Sequence, residues 1–172
     1  MKVENAFSIY IVKDTIKNWS RYKKELLSLV KDIPFVSDGY YSDYLIKDKK
    51  IYSDRFFEIL SPTLKKFGET VDRSFNIPEV WAQRYIKGGA SHQCHNHGAL
   101  GFSAVFYASL GKFDRGTRFI CPFNNSHDGS DMDYIPKVKE GDIIFFPSFL
   151  MHQSTPTIDD TERVIFSFNL KS

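Results

Sequence analysis

The stretch EGDIIFFPSFLMHQSTPTIDDTERVIFSFN, residues 140–169, decides how this chain folds. Glu140, Gly141 and Asp142 read as a turn, and 143–146 (IIFF) as a strand that Pro147 stops. Phe149, Leu150 and Met151 are apolar, and His152 then stands at the lip of a polar loop. Arg163 follows 11 positions later at the start of a last strand, 164–170. Both runs are rich in aromatic and β-branched residues, which favour strands.

Working backwards, the same texture continues to Pro78. Strand-like runs at 80–86, 102–107 and 117–120 are separated by Gly, Pro, Asn and Asp. Many short strands with turn signals between them indicate a sandwich or barrel. The first part of the chain differs. Residues 7–12 (FSIYIV) read as a strand, and Asp14 or Thr15 is placed to cap a helix over 16–30. There Trp19, Tyr22, Leu26, Leu27 and Val30 recur at helical spacing, and Pro34 follows as a stop. Residues 35–50 read as a long connection, a candidate flap. Residues 54–75 read as two helices divided at Ser61-Pro62, with Gly68 weakening the second. Helices confined to the front are expected to pack outside the strands. The chain is read as one domain over 1–172, with supporting elements in 1–77 and the β core in 78–172.

Composition narrows the function classes. With 172 residues the chain can bury a core without staples. Its 16 Phe and 9 Tyr favour sheet. Lys plus Arg is 23 against 21 for Asp plus Glu, so charge gives no electrostatic argument for a nucleic-acid partner. Cys94 and Cys121 form no Cys-x-x-Cys pair and are expected to be reduced. No apolar stretch has the length of a signal peptide or a membrane span, so a cytoplasmic, non-membrane protein is expected.

Five histidines occur: His92, His95, His97, His127 and His152. Residues two apart on a strand face one side, so His95 and His97 can converge while Asn96 turns away. His152 lies far enough along for another strand to return it to the same point. Such a trio holds a metal and leaves positions open; imidazole suits iron, copper, nickel and zinc alike. The alternative is three surface or core-edge histidines. Arg163 has the same two readings: a surface arginine, or the partner of a carboxylate whose other end reaches the metal. His127, Asp128, Asp131 and Asp133, in the loop 121–136, are either a second metal site or a solvated loop, and the loop reading is preferred. Phe106, Phe145 and Phe146 are core residues first and shields of a cavity second.

These elements resemble the small 2-oxoglutarate- and iron(II)-dependent oxygenases of bacteria and tailed phages. Their pattern of H-x-H, S-G-V-Y-Y, G-D-L-v-l-F-P-S-x-L-x-H and R-x-S-x-x-F-N is matched by four segments. These are His95-Asn96-His97, 103–107 (SAVFY), 141–152 (GDIIFFPSFLMH), and Arg163 through Phe168-Asn169. The resemblance implies a double-stranded β-helix, or jelly roll, mainly β with N-terminal helices outside. It implies that His95 and His152 are catalytic Fe(II) ligands, with His97 in the third ligand's place and expected to complete the metal site, and that Arg163 anchors 2-oxoglutarate. It also places Trp81, Arg84 and Tyr85 on the strand before the histidines, where a tyrosine lines the cosubstrate pocket. The implied reaction consumes O2 and 2-oxoglutarate and hydroxylates a substrate that is a peptide, a small molecule or a base. For a phage protein the compartment is the host cytoplasm.

The sequence departs from the wider superfamily twice. His97 stands where a carboxylate is usual, leaving the site one unit more positive. Ile165 stands where a serine usually supports the cosubstrate, with Tyr85 or Tyr107 as candidate replacements. Two other readings stay open: a three-histidine dioxygenase that does not use 2-oxoglutarate, and a non-catalytic jelly-roll binding or structural protein. Oligomeric state is not legible in the sequence.

Overall fold

A computed structural model describes Lys2 and residues 7–37, 39–77, 79–86, 88–99, 101–158 and 160–171. Pro78, taken from sequence as the boundary between the two parts, and most of the segment before Phe7 lie outside these residues. In chain order the elements are β1 (Val12–Thr15), α1 (Trp19–Ser28), β2 (Phe35–Ser37), β3 (Tyr40–Ser42) and α2 (Ser53–Val71). Then follow β4 (Val80–Tyr85), β5 (Phe102–Ser109), β6 (Arg118–Ile120), β7 (Asp133–Tyr134), β8 (Asp142–Pro147), β9 (His152–Gln153) and β10 (Arg163–Leu170).

Two antiparallel sheets form a jelly-roll, double-stranded β-helix core. The larger has the order β1-β8-β5-β10-β4-β3-β2 and the smaller β7-β6-β9. Side chains alternate between the faces of the large sheet as a pleat requires. Val164, Phe166 and Phe168 of β10, with Ala104 and Phe106 of β5, join the helices in one apolar cluster. Ile165, Val105, Tyr107, Ile144 and Phe146 point the other way and meet Phe119 and Leu150 of the small-sheet side. Arg163 and Ser167 share the parity of Ile165 and so face inward.

The helices cover the outer face through aromatic contacts. Phe56, Leu60, Thr63 and Phe67 make the buried stripe of α2. Phe67 stacks on Phe145 at 4.1 Å and Phe56 on Phe166 at 4.8 Å. Each fully buried Phe is worth about 1.5–3 kcal/mol of transfer free energy, so this face carries much of the stability. Trp19 of α1 donates from Nε1 to the Ala108 carbonyl (3.1 Å) and meets Phe106 edge-on. Gly141 (φ +83°) lies under that indole, where a Cβ would come within 2.9 Å of the Trp19 Cβ.

Several sequence expectations are corrected. The first strand is 12–15, not 7–12. Val12 pairs with Phe145, and two positions further β8 reaches Pro147 and ends; Phe7 and Tyr10 are exposed instead. Asp14 and Thr15 belong to that strand and cap nothing. Thr15 donates to buried Asp142 (2.7 Å), and α1 starts later, after Asn18. Residues 54–75 are not two helices: α2 runs unbroken through Pro62. Pro62 is exposed, so the Glu58 carbonyl it leaves unbonded faces the solvent side, while the buried stripe holds both halves on the sheet. Gly68 serves the helix end, where its carbonyl accepts from Arg73. The connection 35–50 is not only loop: β3 pairs with β4 and extends the large sheet. Among the described residues no helix is long and apolar enough to cross a membrane.

Candidate metal centre

The segment 93–97 lies alongside β9. His95 and His152 exchange both backbone bonds, N–H to C=O at 2.9 Å each way, and the His97 N–H donates to the Ser148 carbonyl at 2.9 Å. This is a single bridge and not a regular strand, yet it brings the three imidazoles together as the two-residue spacing predicts. Their ring centroids are 4.4 Å (His95–His152), 5.0 Å (His95–His97) and 5.1 Å (His97–His152) apart. One potential ligand atom from each lies within 4.8 Å of the others, and among the described residues this is the one such His/Cys/Asp/Glu group.

Two of the rings are held by the same device. His152 Nδ1 lies 2.9 Å from the Leu150 carbonyl and His95 Nδ1 lies 2.8 Å from the Gln93 carbonyl. A carbonyl only accepts, so each Nδ1 carries the proton and each Nε2 keeps its lone pair free for a metal. His152 is buried against the edge of Phe146 at 4.7 Å. Burial first, and the neighbouring imidazoles second, push its pKa down to about 3 and that of His97 to about 4. Both are therefore neutral at pH 7, the form a metal binds.

The cavity beside the triad measures ≈ 280 Å³. Tyr40, Tyr44, Trp81, Gln83, Tyr85 and His92 are among its walls. His92 stands 4.3 Å from His95 and stacks on Tyr40. Of the strand residues singled out from sequence, Trp81 and Tyr85 line the cavity. Arg84 does not: it points to the other face, where it pairs with Glu162 and covers the Tyr41 ring.

Arg163 lies one layer behind the wall, opposite Tyr85 in the strand register. It is only 2% exposed. Its guanidinium sits 4.4 Å over the Tyr85 ring, Nη1 donates to Thr155 Oγ1 at 3.3 Å, and the buried Nη2 has no partner among the described residues. Burial depresses its pKa from the usual guanidinium value, with Asp114 among the groups opposing the shift. The surface-arginine reading is thereby excluded. Tyr107 is buried with its hydroxyl bonded to Thr117 Oγ1 and to the Thr117 N–H, both 2.9 Å, so it is committed within the wall.

The acidic loop has an explanation without metal. Asp128 accepts from Ser130 N and Oγ, and Asp133 pairs with Arg118. Cys94 and Cys121 are free. Sequence reasoning missed Tyr40, Gln83 and Thr155 as site residues. The parity of Trp81 and Tyr85 on β4 was the available signal for Gln83.

A family model described as "Putative 2OG-Fe(II) oxygenase" matches residues 79–169, just over half of the chain. The chain belongs to this family. No curated protein matches it. Among solved structures it resembles a 2OG-Fe(II) oxygenase-family oxidoreductase from Burkholderia pseudomallei (TM-score 0.67, 15% identity, 94% of this chain and 84% of that one). It also resembles HygX from Streptomyces hygroscopicus with nickel and 2-oxoglutarate bound (TM-score 0.65, 13% identity, 95% and 83%). A third is a Pseudomonas putida prolyl-4-hydroxylase (TM-score 0.60, 13% identity, 95% and 93%). At these identities the likeness concerns the fold.

Proposed function

We propose that this family member, acting as one domain in the cytoplasm, is a 2-oxoglutarate- and iron(II)-dependent dioxygenase that hydroxylates its substrate. Arg163 is the observation that carries the reading. A guanidinium with a buried, unpartnered donor is a costly group to keep, and a carboxylate entering beside the triad would complete its bonding. His95, His97 and His152 would hold the metal, and the donor set suits iron(II). When bound, the metal and 2-oxoglutarate together supply O2 activation and the oxidising equivalents. The chain's own part is to orient the cosubstrate through Arg163, to fix the ligand tautomers through the Leu150 and Gln93 carbonyls, and to shield the cavity with Tyr85, Phe146 and Trp81. Thr155 steadies Arg163, taking up support that Ile165 cannot give. The nickel- and 2-oxoglutarate-bound relative supports this chemistry, and the prolyl-hydroxylase relative keeps a peptidyl substrate among the candidates.

His97 favours a second reading. With imidazole in place of a carboxylate ligand, the trio equally suits a three-histidine dioxygenase, in which Arg163 would grip the substrate's own carboxylate. Anaerobic titration of the iron(II)-loaded protein with 2-oxoglutarate separates the two. The first reading expects a visible charge-transfer band that saturates. Bound iron with no band supports the second, and failure to take up iron leaves a jelly-roll binding protein.

A further inference from the structure

We infer that His97 is the releasable ligand of the metal centre: His95 and His152 keep the ion while His97 lets go and frees one more position on it. The inference deepens the proposed function and rests on it in one respect, that the three histidines hold a metal.

The first ground is what fixes each ring. A histidine that binds metal through one nitrogen is usually held by a hydrogen bond at the other, which sets its tautomer and its direction. The Gln93 and Leu150 carbonyls do this for His95 and His152, at 2.8 and 2.9 Å. His97 has no such support: neither of its ring nitrogens is hydrogen-bonded among the described residues. Its ring lies against Trp81 at 5.7 Å, His95 at 5.0 Å and His152 at 5.1 Å. Ring contacts tolerate rotation, whereas a hydrogen bond weakens steeply with angle.

The backbone is the second ground. His95 and His152 exchange both backbone bonds, so the two supported ligands are also tied to each other. His97 is held by one bond, from its N–H to the Ser148 carbonyl. Gly98 follows at φ +94°, where an added Cβ would meet nothing within 4 Å, so the chain beyond His97 turns into open space. His152, by contrast, is 4% exposed and packed on the edge of Phe146. A ring fixed by no hydrogen bond must be ordered by the metal itself, and the entropy lost in ordering it is subtracted from what its bond contributes.

Zinc affinity of the full chain, measured without 2-oxoglutarate by competition with a chromophoric chelator, tests this. The parent is compared with His97→Ala, His95→Ala and His152→Ala. A supporting partner on a ligand histidine is worth about 10- to 100-fold in metal affinity. His97→Ala should therefore still take up zinc, and bind it about 10- to 100-fold more tightly than either other variant. His95→Ala is the closer control, because it removes a half-buried ring from the same segment. Zinc bound no more tightly by His97→Ala than by His95→Ala overturns the inference. Should a variant fail to fold, nitrogen-15 spectra of the imidazoles in the unaltered, metal-free protein decide alone. His95 and His152 should each show the Nδ1-protonated tautomer, and His97 a mixture of both; a single tautomer for all three overturns the inference. A parent that takes up no zinc loses this inference and the proposed function together. A protein that binds zinc in the expected order but gives no charge-transfer band with iron(II) and 2-oxoglutarate loses the proposed function alone.

Discussion

Replacing Arg163 with methionine distinguishes an arginine kept for the fold from one kept for a ligand. Within the protein the guanidinium is thinly bonded: one long hydrogen bond to Thr155, the face of Tyr85, and a buried Nη2 without a partner among the described residues. The favourable side amounts to about 2 kcal/mol for a desolvated cation over an aromatic ring and about 1.5 kcal/mol for a weak charged hydrogen bond. Against it stand several kcal/mol for removing the ion from water, roughly, and about 1–3 kcal/mol for the unsatisfied donor. The ligand-free protein therefore carries a net cost at this position. Methionine fills much of the stem's volume without charge, so it should stabilise the ligand-free protein by about 1–4 kcal/mol. At this chain length each kcal/mol is about 2–4 °C in Tm.

Binding should move the opposite way. Losing a buried charge-assisted pair costs about 2–5 kcal/mol, so 2-oxoglutarate affinity should fall roughly 30-fold to several thousand-fold. Thermal melts of the ligand-free variant and an anaerobic 2-oxoglutarate titration of its iron(II) form measure both halves. A variant that melts well below the parent and binds 2-oxoglutarate just as tightly would refute the reasoning, since Arg163 would then be a structural ion.

His152→Ala removes the most buried of the three imidazoles, so metal content by elemental analysis should fall from one ion per chain to near background, while His127→Ala keeps it. Acid should weaken the metal-free fold through the same residues. Burial holds the folded pKa of His152 near 3 and of His97 near 4, below the unfolded value, so the unfolded chain binds more protons in between. Stability is then full above about pH 6.5 and declines as pH falls, at no more than about 1.4 kcal/mol per pH unit for each histidine, less for partly exposed His97. Urea melts between about pH 7 and 4 that show no decline would contradict this. Pro62→Ala restores an N–H to the interior of α2 and removes a ring clash, so the protein should gain stability, by up to about 3 kcal/mol, in the same melts.

What could be read from the sequence was whatever a local rule fixes. The run 143–146, the stop at Pro147, and the alternation of Val164, Phe166 and Phe168 against Arg163, Ile165 and Ser167 follow from the pleat alone, and the structure keeps them. The His-x-His spacing also sufficed, although 95–97 makes only a bridge, because an extended chain presents alternate residues to one side with or without a full ladder. Where a local rule competed with packing, packing won. Ser61-Pro62 carries a helix-start signature, but Phe56, Leu60 and Phe67 need one continuous helix to meet Phe145, Phe166 and Phe168.

The cavity wall was less legible, because it is built by pairing between strands distant in sequence. Register sets Arg163 opposite Tyr85, Ile165 opposite Gln83 and Ser167 opposite Trp81, so two strands contribute interleaved inward residues to one surface. That register follows from how β10 lies against β4, which no spacing within either strand reveals. The same pairing shows why the missing serine at 165 is not simply a loss. An isoleucine there keeps the floor apolar between a buried guanidinium and a buried amide. Hydroxyl support for Arg163 moves to Thr155, on the loop that follows His152. His152, one of the three clustered histidines, and Thr155, which bonds Arg163, thus lie three positions apart, so under the proposed function a shift of that loop would disturb metal and carboxylate recognition together.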